Sequence, residues 1–144
     1  MRIVVNTISV SPSKVGIRTY LTNTLGAMLD IDDRNEYLLV CGGHNREIFE
    51  PFVERCPAQV RLRDIGLQRA LGPMRVLYDQ FVLPNALRGM PGGTVLLEPS
   101  NVTGFAVNLP TVLVVQGALA IRRLRHPGLR NTREISLLHR AYFN

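Results

Sequence analysis

Short β-branched runs alternate with helical periodicity along the chain, and that alternation limits the possible folds more than any other feature. Ile3-Val4-Val5 opens the sequence as a buried strand over residues 2–8. A loop rich in turn formers runs from Ser9 to Gly16. Ile17, Leu21, Leu25 and Met28 then recur at three- and four-residue spacing, which predicts a helix ending near Asp30. Tyr37-Leu38-Leu39-Val40 reads as a second strand, stopped by Gly42-Gly43. A short helix over 45–55 turns Ile48, Phe49, Phe52 and Val53 inward, and residues 59–63 alternate as a third strand near the sheet edge. A longer helix is expected over 68–88, with Leu71, Met74, Tyr78, Phe81 and Val82 as its apolar stripe and a kink at Pro84. Residues 94–97 and 111–115 are nearly continuous apolar runs, as expected of strands covered by helices on both faces.

A last helical pattern starts near Asn131, with Glu134 placed to close a capping box and Ile135, Leu138 and Tyr142 on one face. It reaches Asn144 without a terminator, so the expectation is a chain cut within that helix. Strands alternating with helices imply an α/β domain: a Rossmann-like, mostly parallel sheet with helices on both faces. With 144 residues there is room for one such domain and a single continuous core.

Composition narrows the class further. An apolar share of 46% against 19% charged residues is that of a globular chain. No apolar run approaches the roughly 20 residues of a membrane span, and polar Asn6 and Thr7 interrupt the opening too early for a signal peptide. The expected location is the cytoplasm. Cys41 and Cys56 are too few for a disulfide framework and lack neighbours at metal-ligand spacing, which makes Cys41 a small core residue and Cys56 a helix-end residue. Net charge is +6, nearly all of it from arginine, since Lys14 is the one lysine. That balance favours anionic partners, or else belongs to the basic part of a larger protein.

Ligands of an open parallel sheet bind beyond the carboxyl ends of its strands. Three loops leave those ends: Ser9 to Gly16, Glu98 to Gly104, and Gln116 to Ala120. Gly16 opens a helix, where backbone N–H groups can approach an anion; a lone glycine at such a turn more often serves the backbone alone. Ser100 and Asn101 can meet sugar hydroxyls or satisfy their own turn. The dinucleotide fingerprint and the phosphate-loop signature are absent. His44, His126 and His139 read as surface residues, and no carboxylate pair suggests an acid–base couple. These residues by themselves describe a ligand-binding α/β domain and no reaction.

Six segments, in order, resemble the amino-terminal domain of family 4 glycosyltransferases. MRIVVNTISV is similar to the opening strand, and VGIRTYLTNTL to the loop-to-helix segment GGIGRYTRNLL, with Gly16, Ile17, Tyr20, Asn23 and Leu25 matching. NEYLLV resembles NEYVLL, LYDQFVLPNALR resembles WEQLLLPLLLR, TVLLEPSNVTGF resembles VLHSPSNVAPL, and LPTVLVVQGALAI resembles CPTVVTIHDLA. The resemblance implies a GT-B fold, in which two Rossmann-like domains face a cleft and a sugar passes from a nucleotide donor to an acceptor, usually with retention and without a metal. It assigns this chain to the acceptor side and leaves the nucleotide-holding carboxyl-terminal domain, with its paired glutamates, outside it.

Two positions depart from the pattern. Arg18 replaces a second glycine, and its guanidinium can bind the donor phosphate in the glycine's stead. Gln116-Gly117 stands where many members have His-Asp; a branch resembling rhamnosyltransferases of surface polysaccharide synthesis has Gln-Asn there. The resemblance thus implies Gly16 and Arg18 at the donor phosphates, and Ser100, Asn101 and Gln116 along the sugar and acceptor side. Its expected partners are a nucleotide-sugar donor and a glycan or lipid-linked acceptor, with no cofactor.

Two other readings stay open. One is a stand-alone α/β phosphate- or nucleotide-binding module without catalysis. The other is a basic binding surface at Arg122, Arg123 and Arg125, with Arg130 and Arg133 nearby, facing an anionic membrane at the inner face or merely solvent. No aromatic residues interleave with these arginines, which argues against nucleic acid.

Overall fold

The computed structural model describes residues 1–13, 15–68, 76–100, 104 and 106–115. Five strands are present among them: β1 (Arg2–Asn6), β2 (Glu36–Cys41), β3 (Val60–Asp64), β4 (Thr94–Glu98) and β5 (Thr111–Leu113). Helix α1 (Val15–Ile31) joins β1 to β2, and α2 (Arg46–Arg55) joins β2 to β3. A π-helical segment, Tyr78–Val82, runs directly into α3 (Leu83–Ala86) ahead of β4.

All four strand pairings are parallel, and the spatial order is β3-β2-β1-β4-β5. The chain winds outward from β1 to β3, returns to the far side of β1, and winds outward again. This is a doubly wound, Rossmann-like α/β fold, and its winding reverses between β1 and β4. Register places Val5 beside Leu39 and Leu97 in the middle of the sheet.

The two-residue period of the strands divides the core between two faces. Val5, Tyr37, Leu39 and Val60 pack under Leu21, Leu25 and Leu29 of α1 and Phe49 of α2. Val4, Val40 and Leu96 face the other way and pack with Leu67, Leu83 and Leu87. The helical spacing of Ile17, Leu21, Leu25 and Met28 is therefore a core stripe: the middle two are fully buried and the outer two partly so. Each such fully buried large side chain stabilises the fold by about 1.5–3 kcal/mol relative to leaving it in water.

The structure changes three expectations. The first strand ends at Asn6, and the chain turns at Ile8 and Ser9, rather than continuing as strand to residue 8. The fifth strand spans Thr111–Leu113, and all three of its residues are exposed, so among the described residues no helix covers it as its apolar composition suggested. The third concerns Phe81, which was expected in the core stripe with Tyr78 and Val82 but is 71% exposed.

The reason for the last change is the π turn. The Leu83 N–H donates to the Tyr78 carbonyl, five residues back, which inserts one residue into the helical period. The inserted residue rotates the stripe, so that Asp79 and Leu83 are buried and Phe81 faces out. Pro84 supplies the cause, because it has no N–H to donate and its ring crowds the preceding turn. The expected kink thus takes the form of a π segment. Leu71 and Met74 lie outside the described residues, as does the helix expected from Asn131. Among the described residues, no helix is long and apolar enough to cross a membrane.

Candidate functional site

The last residues of β1 and β4, Asn6 and Glu98, lie on either side of the winding reversal. The π turn brings Asp79 to the same place. Asn6 Nδ2 donates to Asp79 Oδ1 at 3.1 Å and to Glu98 Oε1 and Oε2 at 3.0 and 2.9 Å. Asn6 Oδ1 accepts from the Ile8 N–H at 3.1 Å. This bond fixes the amide orientation, since the opposite flip would set a carbonyl oxygen against two carboxylates.

Asn6 and Asp79 are 2% exposed and Glu98 is fully buried. A carboxyl group in such a place is costly unless it is hydrogen-bonded. Asn6 answers part of that cost for both acids, and each acid has further contacts of its own. Gly104 closes over the π turn: a Cβ there would collide with the Asp79 carbonyl oxygen. The loop after β4 can therefore approach the π turn this closely only because residue 104 is glycine.

The loop leaving β1 is held from the neighbouring loop. Thr7 Oγ1 donates to the Val40 carbonyl at 2.8 Å, and Asn45 Nδ2 donates to the carbonyls of Thr7 and Val10 at 2.7 and 3.1 Å. Asn45 Oδ1 accepts from the Gly42 N–H at 3.0 Å, so one buried amide joins the exits of β1 and β2. His44, expected at the surface, is half-buried between two carbonyls, with Nδ1 3.0 Å from Leu67 O and Nε2 3.3 Å from Ile8 O. Gly42 permits this packing, because a Cβ there would meet the Leu67 carbonyl. Ser9 lies in the same loop, and its buried Oγ has no hydrogen-bond partner among the described residues.

Gly16 sits in the first turn of α1, and a Cβ built on it meets nothing within 4 Å. Arg18, two residues further along α1, donates from Nη1 to the Pro12 carbonyl at 2.8 Å. Its guanidinium therefore braces the loop with one donor, the one bond it makes among the described residues. Ser100, just beyond β4, is buried at 7% exposure and is partnered. Because β1 and β4 are adjacent and parallel, the segments bearing Gly16, Arg18 and Ser100 leave the same edge of the sheet. Asn101, Gln116, Arg122, Arg123 and Arg125 lie outside the described residues, together with His126, His139 and Lys14.

The carboxylate pair was missed at the level of sequence. Its signal is a polar residue at an apolar position: Asn6 ends a β-branched run, Glu98 ends Thr94-Val95-Leu96-Leu97, and Asp79 interrupts a helical stripe. Cys41 closes β2 fully buried, with its thiol pushed up to about 11, first by burial and then by Asp64. It is a core residue and a poor nucleophile. Among the described residues, no group of three His, Cys, Asp or Glu side chains is placed to hold a metal ion. The structure thus brings Asn6, Asp79 and Glu98 together in the interior at the winding reversal and leaves the start of α1 exposed on the same edge of the sheet. Comparison with protein-family models, with curated proteins and with solved structures gave no match.

Proposed function

We propose that this domain forms the acceptor-side wall of a retaining glycosyltransferase of the GT-B type, taking sugar from a nucleotide donor to a glycan or lipid-linked acceptor. The observation that carries the reading is the winding reversal between β1 and β4, with the Ser9–Gly16 and Glu98–Ser100 segments leaving adjacent strands there. An open sheet binds its ligand at that point. The start of α1 at Gly16 offers backbone N–H groups and the positive end of a helix dipole to the donor phosphates. Arg18, braced on Pro12, adds a fixed cation. Ser100, Asn101 and Gln116 take the sugar and acceptor hydroxyls, while Asn6, Asp79 and Glu98 hold the floor of the crevice in place. Surface polysaccharide synthesis is the setting that Gln116 fits.

The test is sugar transfer from a panel of nucleotide sugars by the full-length gene product, compared with Gly16→Val. A branched side chain at Gly16 has room in the fold, so the thermal midpoint should stay unchanged. Transfer should fall roughly tenfold or more, equivalent to about 1.4 kcal/mol of transition-state stabilisation. Full activity in Gly16→Val would overturn the phosphate assignment. Nucleotide-sugar binding without turnover by the full-length product would instead favour the stand-alone binding module. The 144-residue chain on its own is expected to transfer nothing.

A further inference from the structure

Among the described residues, the outer strand β3 combines an unpaired backbone edge with exposed charge. It pairs with β2 on one side and lies at the edge of the sheet on the other. The Gln59 carbonyl accepts from Tyr37 N–H at 2.7 Å, and the Ile65 N–H donates to Cys41 O at 3.0 Å. By the two-residue period of a strand, the backbone groups of Arg61 and Arg63 also turn toward β2, while those of Leu62 and Asp64 turn to the open edge. The Val60 N–H is already taken by Cys56 O at 2.9 Å, so the open stretch begins after it.

Arg61 and Arg63 share one face, opposite Leu38 and Val40 of β2. Both are exposed, and neither has a hydrogen bond or salt bridge among the described residues. They line a groove of about 300 Å³, whose other walls include Arg2, Glu36, Leu38 and Met90. Its one carboxylate is already answered: Arg2 donates to Glu36 Oε2 from Nη2 at 2.7 Å and from Nε at 3.1 Å. The groove therefore presents two guanidinium groups without a hydrogen bond or salt bridge among the described residues, Arg61 feeling Glu36 only through its charge; their positions lie two strand residues, about 6.6 Å, apart along the backbone.

We propose that the β3 edge docks an extended acidic segment of a partner protein, added as a sixth parallel or antiparallel strand. The partner's backbone bonds to Leu62 and Asp64, and carboxylates at alternate positions meet Arg61 and Arg63. Strand addition draws affinity from backbone bonds and specificity from alternate side chains, and that alternation is the pattern found here. The same arginines exclude a second copy of this chain, because a β3-to-β3 contact would set cation against cation. The site lies away from the crevice between β1 and β4 and does not depend on its function.

The probe is a blocked hexapeptide of alternating Glu and Thr, with binding read by fluorescence anisotropy and site by amide exchange. It should bind the wild-type chain and slow exchange at the Leu62 and Asp64 amides. Arg61→Glu with Arg63→Glu should weaken it about tenfold or more and create affinity for the alternating Lys and Thr peptide. If the reversed variant fails to fold, Arg61→Gln with Arg63→Gln serves instead, and should weaken binding of the Glu peptide without creating affinity for the Lys peptide. Equal affinity for a peptide with its three Glu residues adjacent would show plain charge attraction and overturn the proposal. So would binding without protection of Leu62 and Asp64, or a wild-type dimer in which those amides are already protected.

Discussion

The two outer strands of the sheet, among the described residues, are built from opposite materials. At β3, exposed Arg61, Arg63 and Asp64 face outward while Val60 is buried beneath the helices. At β5, Thr111, Val112 and Leu113 are all exposed, and Val115 just beyond is 53% exposed. A charged edge can remain in water and admits only a partner of complementary charge. An apolar edge of a parallel sheet has the composition of an interior strand without its burial, and such surface drives association until something covers it. Edge position alone therefore does not define a surface; its side chains decide what it tolerates.

The difference predicts unequal energetic weight in the two halves. Phe49 is fully buried on the β2–β3 side, 6.4 Å ring to ring from Phe52. Phe49→Ala should cost about 3–5 kcal/mol in urea unfolding, whereas Val112→Ala should stay within about 0.5 kcal/mol. Equal losses at the two positions would erase the distinction between the halves.

The joint between them is Asn6, which ties β1 to the end of β4 through Glu98. Asn6→Leu keeps similar bulk but removes the donor shared by two buried carboxyl groups, and should cost about 2–4 kcal/mol. Amide exchange should quicken first in β4 and β5, the strands that Asn6 ties to β1. Uniform quickening across all five strands would mean that the halves unfold as one unit.

Acid should loosen the opposite half. The Tyr37 hydroxyl, the backbone N–H groups of Arg34 and Asn35, and the Asn35 amide all donate to Asp32, holding its carboxyl well below the usual range. The folded value lies below the unfolded one, so its contribution is complete above about pH 4 and is lost as pH falls from there toward the folded value. Gln59, at the entry to β3, bonds to the Asp32 carbonyl at 2.8 Å, so this turn supports the guarded edge. Asp32→Asn should flatten the acid limb of the pH–stability curve, read by thermal melts below pH 4. An unchanged limb would remove Asp32 from the account.

The smallest effect on stability belongs to the bare edge. Val112→Thr with Val115→Thr should leave the unfolding midpoint within about 0.5 kcal/mol. Light scattering at high concentration should fall, because both side chains are more than half exposed. Unchanged scattering would show that this edge is not the sticky one.

Much of this architecture was legible before any coordinates. The spacing of Ile17, Leu21, Leu25 and Met28, and the runs at Ile3, Leu38 and Leu96, report helices and strands because both periods are local properties of the backbone. Alternation of the two forms was enough to imply an α/β domain with a parallel sheet. Gly16 and Ser100 could be assigned to one edge of the sheet by the same reasoning, since the carboxyl ends of parallel strands share a side. Tertiary structure alone decided the rest. Asn6 lies 73 residues from Asp79 and 92 from Glu98, and nothing in a local period reports that strand order will bring them within one amide's reach. The π turn before Pro84 shifted the helical stripe by one residue, which buried Asp79 and exposed Phe81. His44 became a link between two loops only because β1, β2 and β3 are neighbours. Local propensity specifies elements, whereas non-local pairing specifies which side chains meet, and both the candidate site and the two edges belong to the second kind.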